Sequence, residues 1–163
     1  MTTRNESEYL PPAYFRAGVG AVIVDTRGRV LACERTDVKG AWQFPQGGLE
    51  RGEEPVQAVL REMREEIGVL ENELQLLASY PEPLVYVLPP ENRSVKTGWG
   101  QVQWWFLFRC ARHVITLPSL AEFRRTEWKI FSDVLQHAVP FRKTMYERLQ
   151  LFFAPQAGFA TRP

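Results

Sequence analysis

The sequence predicts one layered α/β domain. Short runs rich in Val, Ile and aromatic residues alternate with segments of helical periodicity along the chain. No linker, internal repeat or low-complexity tract divides it, and 163 residues are enough to bury a single hydrophobic core. We therefore expect a domain over residues 13–153, with a flexible lead at 1–12 and a loose tail at 154–163.

Strands are predicted where β-branched and aromatic residues are followed by Gly, Pro or polar turn residues. The first two are expected to form a hairpin around the turn at 26–29, and the run at 101–110 has the strongest strand pattern. The predicted strands lie at 15–25, 30–34, 74–80, 84–88, 101–110 and 127–131.

The clearest helix signal begins at Pro55 and ends at Gly68. Proline suits the first turn because its missing N–H would have no partner there, and glycine suits the left-handed position that ends a helix. Two further helices are expected, a brief one capped by Ser132 and running to Ala138, and an amphipathic one over 140–153. Apolar residues give the first helix a buried side: Val56, Val59, Leu60, Met63 and Ile67.

Three carboxylates share one side of the first helix. Glu62, Glu65 and Glu66 are spaced i, i+3, i+4, and two such charges about 5 Å apart repel by roughly 3 kcal/mol at an effective dielectric of about 20. Arg61 and Arg64 offset part of this repulsion, so a solvated, salt-bridged helix face is the simplest interpretation. A bound cation offsets it better, and because only oxygen ligands are present we expect Mg²⁺ or Mn²⁺.

Composition excludes several classes of protein. A formal net charge of +1 gives no overall field that would commit the chain to nucleic acid or membrane. No apolar run is long enough to span a membrane, and the first residues lack the apolar core of a secretory signal. Cys33 and Cys110 stand alone in the sequence, which predicts two free thiols in a reducing compartment. We expect a cytoplasmic protein with no membrane partner.

The stretch 47–69 resembles the Nudix box at every fixed position. The matching residues are Gly47, Glu53, Arg61, Glu62, Glu65, Glu66 and Gly68, with Met63 and Val69 in the aliphatic positions. This resemblance implies a Nudix-type α/β/α sandwich with a mixed curved sheet and a catalytic loop–helix–loop. It also implies metal-dependent hydrolysis of a phosphoanhydride bond in a nucleoside diphosphate linked to another group.

Segments outside the box are similar to two groups of this family, the bacterial RNA pyrophosphohydrolases and the plant-type asymmetric diadenosine tetraphosphate hydrolases. The similar stretches are 15–20, 42–48, 86–89, 100–106, 121–123 and 139–146. One departure is Trp104, which stands where these groups carry a lysine. The lead at 98–101 leans slightly towards the plant-type enzymes.

The resemblance also implies roles for individual residues. A divalent ion would be held by the carbonyl of Gly47 and by carboxylates, with Glu65 or Glu66 as the base and Glu122 as a further ligand or base. Glu53 would pair with Arg61 and fix the loop to the helix. The expected metal ligands are Gly47, Glu62, Glu65, Glu66 and Glu122. The expected substrate contacts are Arg16, Arg35, Gln46, Tyr86, Phe141 and Lys143.

The substrate stays open between two phosphate chains, a 5′-triphosphorylated RNA end and a dinucleoside polyphosphate. Two other functions are alternatives, a housecleaning pyrophosphatase of nucleoside triphosphates and a Nudix-fold module that binds nucleotides without cleaving them. All box glutamates are present, which argues against the binding module. No stable protein partner is expected.

Overall fold

The computed structural model describes residues 13–163, so the lead predicted at 1–12 lies outside the described residues. Within this range the chain forms eight strands and three α-helices. The strands are β1 (Phe15–Val24), β2 (Val30–Arg35), β3 (Trp42–Gln43), β4 (Gln46–Gly48), β5 (Leu74–Ser79), β6 (Leu84–Val87), β7 (Gly100–Cys110) and β8 (Phe123–Lys129). The helices are α1 (Pro55–Ile67), α2 (Phe131–His137) and α3 (Pro140–Ala157).

The sheet is mixed because β1 and β7 run parallel along their whole paired length, from Phe15 opposite Gly100 to Val24 opposite Arg109. All the other strand pairs are antiparallel. The main path through the sheet is β3-β2-β1-β7-β5, with β4 paired to β1, β6 to β7 and β8 to β2. The predicted α/β fold with a mixed sheet is confirmed.

Helices cover both faces of the sheet. Alternate residues of β1 point to opposite sides, so Ile23 packs with Met63 of α1, whereas Val22 joins a second cluster with Tyr146 of α3. Trp105 of β7 is fully buried in that second cluster. Two apolar layers result, one between the sheet and α1 and one between the sheet and the pair α2 and α3.

The hairpin predicted from the first two strands opens almost at once. β1 and β2 are paired at Val24 and Val30, next to the turn. Farther along, β4 takes the place beside β1, with Gly18 opposite Gly48 and Gly20 opposite Gln46. β2 pairs instead with β3 and β8. This divergence brings the loop that leads into α1 directly against β1.

Helix α1 begins and ends where the sequence predicts. Pro55 is the first residue of the helix. Gly68 comes directly after the last residue, Ile67, and its φ of 68° lies in the left-handed region. The backbone N–H of Gly68 donates to the carbonyl of Arg64 at 3.2 Å. The backbone N–H of Glu54 donates to the side chain of Gln57 at 3.2 Å, which ties the start of the helix to its first turn.

Two predicted boundaries near the C-terminus were wrong. β8 begins at Phe123, not at 127, because its first residues pair with the end of β2. Helix α2 begins at Phe131 after Ile130, and no side chain caps it, so the cap predicted at Ser132 is absent. The fully buried Phe131 ring instead secures the start of α2 against Phe44, at a centroid distance of 5.0 Å.

The loose tail predicted at 154–163 is also a wrong prediction. Helix α3 continues to Ala157, because Phe153 and Ala157 extend its buried side while Pro155 lies on the exposed side. Beyond the helix, the ring of Phe159 lies 4.8 Å from that of Phe131. The backbone N–H of Ala160 donates to the carbonyl of Gly28 at 2.8 Å. Apolar burial therefore holds this segment on the domain.

The sequence predicts two free thiols and no membrane-spanning segment. Cys33 and Cys110 are both free, as predicted, and both are buried. None of the helices within residues 13–163 is long and apolar enough to cross a membrane.

Candidate functional site

Arg61 ties the loop after β4 to helix α1. Its Nε and Nη2 donate to the two carboxylate oxygens of Glu53 at 2.9 and 3.0 Å, which is the pairing that the sequence predicts. The guanidinium also donates to the carbonyl of Gly48 at 2.8 Å and to the carboxylate of Glu62 at 2.9 Å. Hydrogen bonding to Arg61 lowers the pKa of Glu53. A bidentate, charge-assisted pair of this kind fixes geometry as well as adding energy.

Glu62 lies directly on the backbone of Gly47. A Cβ atom at position 47 would stand 1.9 Å from Cδ of Glu62, a distance that no side chain could occupy. Glycine is therefore required here so that the carboxylate can approach the loop. Glu62 is only 7% exposed, and this burial raises its pKa. The carboxylate and the Gly47 backbone form one corner of a cleft.

This cleft has a volume of about 270 Å³ and is lined by residues from both ends of the chain. Its acidic part comes from α1 and from Glu122, which precedes β8, and its basic part comes from β1 and α3. The lining residues are Arg16, Gln46, Gly47, Gly48, Glu62, Glu66, Gln101, Glu122 and Arg142. Acidic and basic side chains therefore line the same small cleft.

Glu66 and Glu122 both line the cleft, close enough for a hydrogen bond between them when one of the two is protonated. Burial of Glu66, followed by this hydrogen bond and the nearby negative charges, raises the pKa of Glu66 to about 8. Two carboxyl groups can share a hydrogen bond only while one of them carries a proton. A divalent cation bound between them would replace that proton, because it supplies the positive charge that both groups need.

The donor atoms suit a hard divalent cation. The carboxylates of Glu62, Glu66 and Glu122 and the carbonyl of Gly47 supply only oxygen, as Mg²⁺ and Mn²⁺ prefer. Among the side chains of residues 13–163, no three acidic, thiol or imidazole groups already form a closed ligand set. The side chains of the cleft would have to close around the ion as it binds.

We expect the raised pKa of Glu66 to make the metal-free protein less stable as pH rises. A carboxyl group whose pKa is higher in the folded protein than its ordinary 4.5 stabilises the fold. This contribution is complete below pH 4.5 and is lost as pH rises through about 8. In urea unfolding with EDTA, the free energy of unfolding of the wild type should therefore decrease relative to that of Glu66→Gln between about pH 5 and about pH 8. Added Mg²⁺ should restore the wild type. Parallel curves for the two proteins would contradict this expectation.

Several predicted site residues are not among those that line this cleft in the described part of the chain. The side chain of Glu65 is half-exposed and accepts a hydrogen bond from Arg61 at 3.2 Å. Arg35 donates to both carboxylate oxygens of Asp37, at 2.8 and 2.6 Å. Nζ of Lys143 donates to the carbonyl of Gln136 at 3.3 Å. Of the six expected substrate contacts, Arg16 and Gln46 line the cleft.

Tyr86 and Phe141, two more of the expected contacts, support an arginine that is not among the six substrate contacts expected from the sequence. Their rings stack with centroids 5.3 Å apart, and the guanidinium of Arg142 lies 5.4 Å from one and 5.5 Å from the other. Arg142 is 5% exposed, donates to Oε1 of Gln43, and lines the cleft. Tyr86 and Phe141 thus hold a cation in the cleft without lining it.

Helical spacing could have identified Arg142. It shares the buried side of α3 with Met145, Tyr146 and Leu149, at i, i+3, i+4 and i+7, whereas Lys143 falls off that side. Gln101 was also missed as a lining residue. The signal there is the alternation along β7, which places Gln101 and Gln103 on the same face.

Trp104, where a lysine was expected, packs against the cluster between the sheet and α1. Its neighbours on β7 point to the opposite side, and Gln101 on that side lines the cleft. Arg142 supplies a buried cation to the same cleft. The cleft therefore has a positive group on its α3 side without a lysine at position 104.

Comparison with known proteins identifies relatives over most of the chain. A family model described as NUDIX domain matches residues 14–149. An RNA pyrophosphohydrolase of Helicobacter pylori (strain G27) is 36% identical over 146 residues, covering 85% of this chain and 93% of the relative. The chloroplastic Nudix hydrolase 26 of Arabidopsis thaliana is 33% identical over 156 residues, covering 88% and 71%.

Solved structures share the fold. The dihydroneopterin triphosphate pyrophosphohydrolase of E. coli superimposes with a TM-score of 0.70 at 19% identity, covering 85% of this chain and 98% of that structure. The binary complex of a C. elegans Ap4A hydrolase gives a TM-score of 0.65 at 19% identity, with 86% and 98% covered.

Proposed function

The chain belongs to the Nudix hydrolase family, and we propose on that premise that it hydrolyses a phosphoanhydride bond in the polyphosphate chain of a nucleotide. The substrate we propose first is the 5′-triphosphorylated end of RNA, which would leave as a monophosphorylated end and pyrophosphate. The relative named RNA pyrophosphohydrolase supports this choice, because the similarity extends over 93% of its length. Dinucleoside polyphosphates are the second substrate class to test. The expected place of action is the cytoplasm.

One observation carries the proposal: a single cleft has three carboxylates on one side and two arginines on the other. Binding and hydrolysis of a polyphosphate chain need both groups, the carboxylates and the arginines. Arg16 and Arg142 can neutralise the oxygens of the phosphate groups, and the carboxylates can hold cations beside the reacting phosphorus. Neither group alone would support hydrolysis, because the acids without a cation repel phosphates and the arginines without the acids hold no metal.

We assign each residue of the cleft a role in this reaction. Glu62, Glu66, Glu122 and the Gly47 carbonyl would hold Mg²⁺ or Mn²⁺, which when bound lowers the pKa of water and stabilises charge on phosphate oxygens. Glu66 is our choice as general base, because it lies inside the cleft and because burial and the neighbouring Glu122 raise its pKa to about 8, near the pH at which a base works best. Arg16, Gln46 and Arg142 would position the phosphate chain. We assign Glu65 as a further ligand that must first leave Arg61.

The proposal is tested by a side-by-side hydrolysis assay with Mg²⁺ or Mn²⁺. The substrates are a 5′-triphosphate RNA oligonucleotide, diadenosine tetraphosphate and the four free nucleoside triphosphates, each with an EDTA control. We expect release of pyrophosphate from RNA and loss of turnover in EDTA. Turnover of the free triphosphates alone would point to a housecleaning pyrophosphatase. Binding of these ligands without turnover of any would point to a nucleotide-binding module and contradict the proposal.

A further inference from the structure

Three glutamine side chains form a hydrogen-bonded row from the interior of the sheet into the cleft. Gln103 on β7 is fully buried, and its Nε2 donates to Oε1 of Gln46 at 3.1 Å and to Oε1 of Gln101 at 2.9 Å. Gln46 and Gln101 both line the cleft. Gly18 on β1 lies beside the row, where a Cβ would stand 2.8 Å from the carbonyl oxygen of Gly47 and 3.1 Å from Oε1 of Gln101.

The orientation of the Gln103 amide follows from what each of its ends meets. Its Oε1 is buried and has no hydrogen-bond partner in the described part of the chain. In this orientation Nε2 donates to two amide oxygens, and turning the amide over would give up both hydrogen bonds. An amide NH₂ group has two donors to satisfy, and here both of them have an acceptor. The two N–H groups of Gln103 therefore point to Gln46 and Gln101.

This fixes the polarity of the two cleft amides as well. An amide carries its oxygen on one side and its NH₂ group on the other. Because both Oε1 atoms accept from Gln103, the Nε2 groups of Gln46 and Gln101 are directed away from it. Both side chains line the cleft, so it receives hydrogen-bond donors from them.

We propose that Gln103 is a positioning residue that turns the Nε2 groups of Gln46 and Gln101 towards the non-bridging phosphate oxygens of the substrate. Ionised phosphate oxygens only accept hydrogen bonds, so amides presented the other way round would repel the ligand. Uncharged donors also suit a cleft with three carboxylates, because further cations there would pair with the acids instead of the phosphate. This inference rests on the proposed function and concerns the affinity of the same site.

The inference is tested with two variants of nearly equal shape. Gln103→Met removes the donors, so the two cleft amides can rotate. Gln103→Glu offers only acceptors when ionised, so the amides would turn their N–H groups inward, away from the ligand. The binding probe is methylenediphosphonate, a diphosphate analogue that cannot be hydrolysed at its bridge, titrated with and without Mg²⁺. KM and kcat for triphosphorylated RNA and stability in urea are measured on the same proteins.

We expect Kd and KM to rise about tenfold in Gln103→Glu and about threefold in Gln103→Met, with kcat within about threefold of wild type. The added charge in Gln103→Glu is controlled by the uncharged Met variant. Gln103→Met is also made in a protein carrying Gln46→Met and Gln101→Met. If Gln103 acts through these two amides, it should cause no further loss there. An additive loss, or unchanged Kd in both folded single variants, would overturn the inference.

A measurement on the wild type keeps the test independent of any variant that fails to fold. In ¹H–¹⁵N spectra, the side-chain NH₂ signals of Gln46 and Gln101 should shift as methylenediphosphonate binds, and that of Gln103 should shift less. Unshifted Gln46 and Gln101 signals at saturation would reject the proposed role. Wild-type turnover of RNA with unaltered KM in the variants would also reject it while leaving the proposed function intact. Binding of the analogue without hydrolysis of RNA would contradict only the proposed function.

Discussion

Glu66→Gln is expected to lower kcat for the preferred substrate by about 10²–10⁴-fold, the usual effect of removing a general base. The amide keeps the size of the side chain but cannot accept the proton or hold a cation as a carboxylate does. The fold should not become less stable, because burial raises the pKa of Glu66 to about 8 and so disfavours its ionised form. Lost activity together with equal or greater stability at high pH would therefore identify a functional carboxylate.

The matched control is Glu65→Gln, one residue away on the same helix. Glu65 is half-exposed and bonded to Arg61, so we expect a smaller loss than for Glu66. The measurement is kcat and KM for both variants at several Mg²⁺ concentrations, with unfolding in urea alongside. Equal losses would show that Glu65 contributes to the reaction as much as Glu66 does. Full activity in Glu66→Gln would show that the cleft is not where the reaction occurs.

Gly47→Ala is expected to weaken metal affinity by about 10–100-fold, the range typical when the support of a ligand is disturbed. The added methyl group cannot coexist with a carboxylate whose Cδ lies 1.9 Å away, so Glu62 must leave its position. The hydrogen bond from Arg61 to Glu62 at 2.9 Å should be disturbed in the same movement. The measurement is Mg²⁺ dependence of turnover, with Mn²⁺ binding followed by paramagnetic resonance.

Gly48→Ala provides the control for this substitution. Apart from its own chain neighbours, no heavy atom of residues 13–163 would lie within 4 Å of a Cβ at position 48, although Gly48 is adjacent to Gly47 and lines the same cleft. We expect Mg²⁺ dependence close to that of wild type. If both alanine variants lose metal affinity equally, the effect comes from stiffening the loop, and the steric argument for Gly47 fails.

Local features of the site are predictable from the sequence because their causes are local. Pro55 and Gly68 mark the ends of α1, and the Glu53–Arg61 pair joins residues that are close along the chain. The direction in which Glu65 and Glu66 point is harder to predict. Both lie on the same side of the helix, and only their neighbours in the fold, Arg61 and Glu122, separate their roles.

Features that depend on distant packing were the ones missed. Strands β3 and β4 have two and three residues, too few to show an alternating pattern, and they exist because β2 and β1 offer partners. Arg142 carries a charge, so composition alone assigns it to the surface. Its burial depends on Tyr86 and Gln43, which no short-range pattern connects to α3.

The parallel pairing of β1 with β7 sets the order in which the site can be assembled. Phe15 and Gly100 are neighbours in the sheet although most of the domain lies between them in the chain. Arg16 therefore meets Gln101 only after the intervening segment has been synthesised, and Arg142 follows later still. A growing chain cannot form the pocket early, and closing so long a loop should make its folding slow compared with that of a helical bundle.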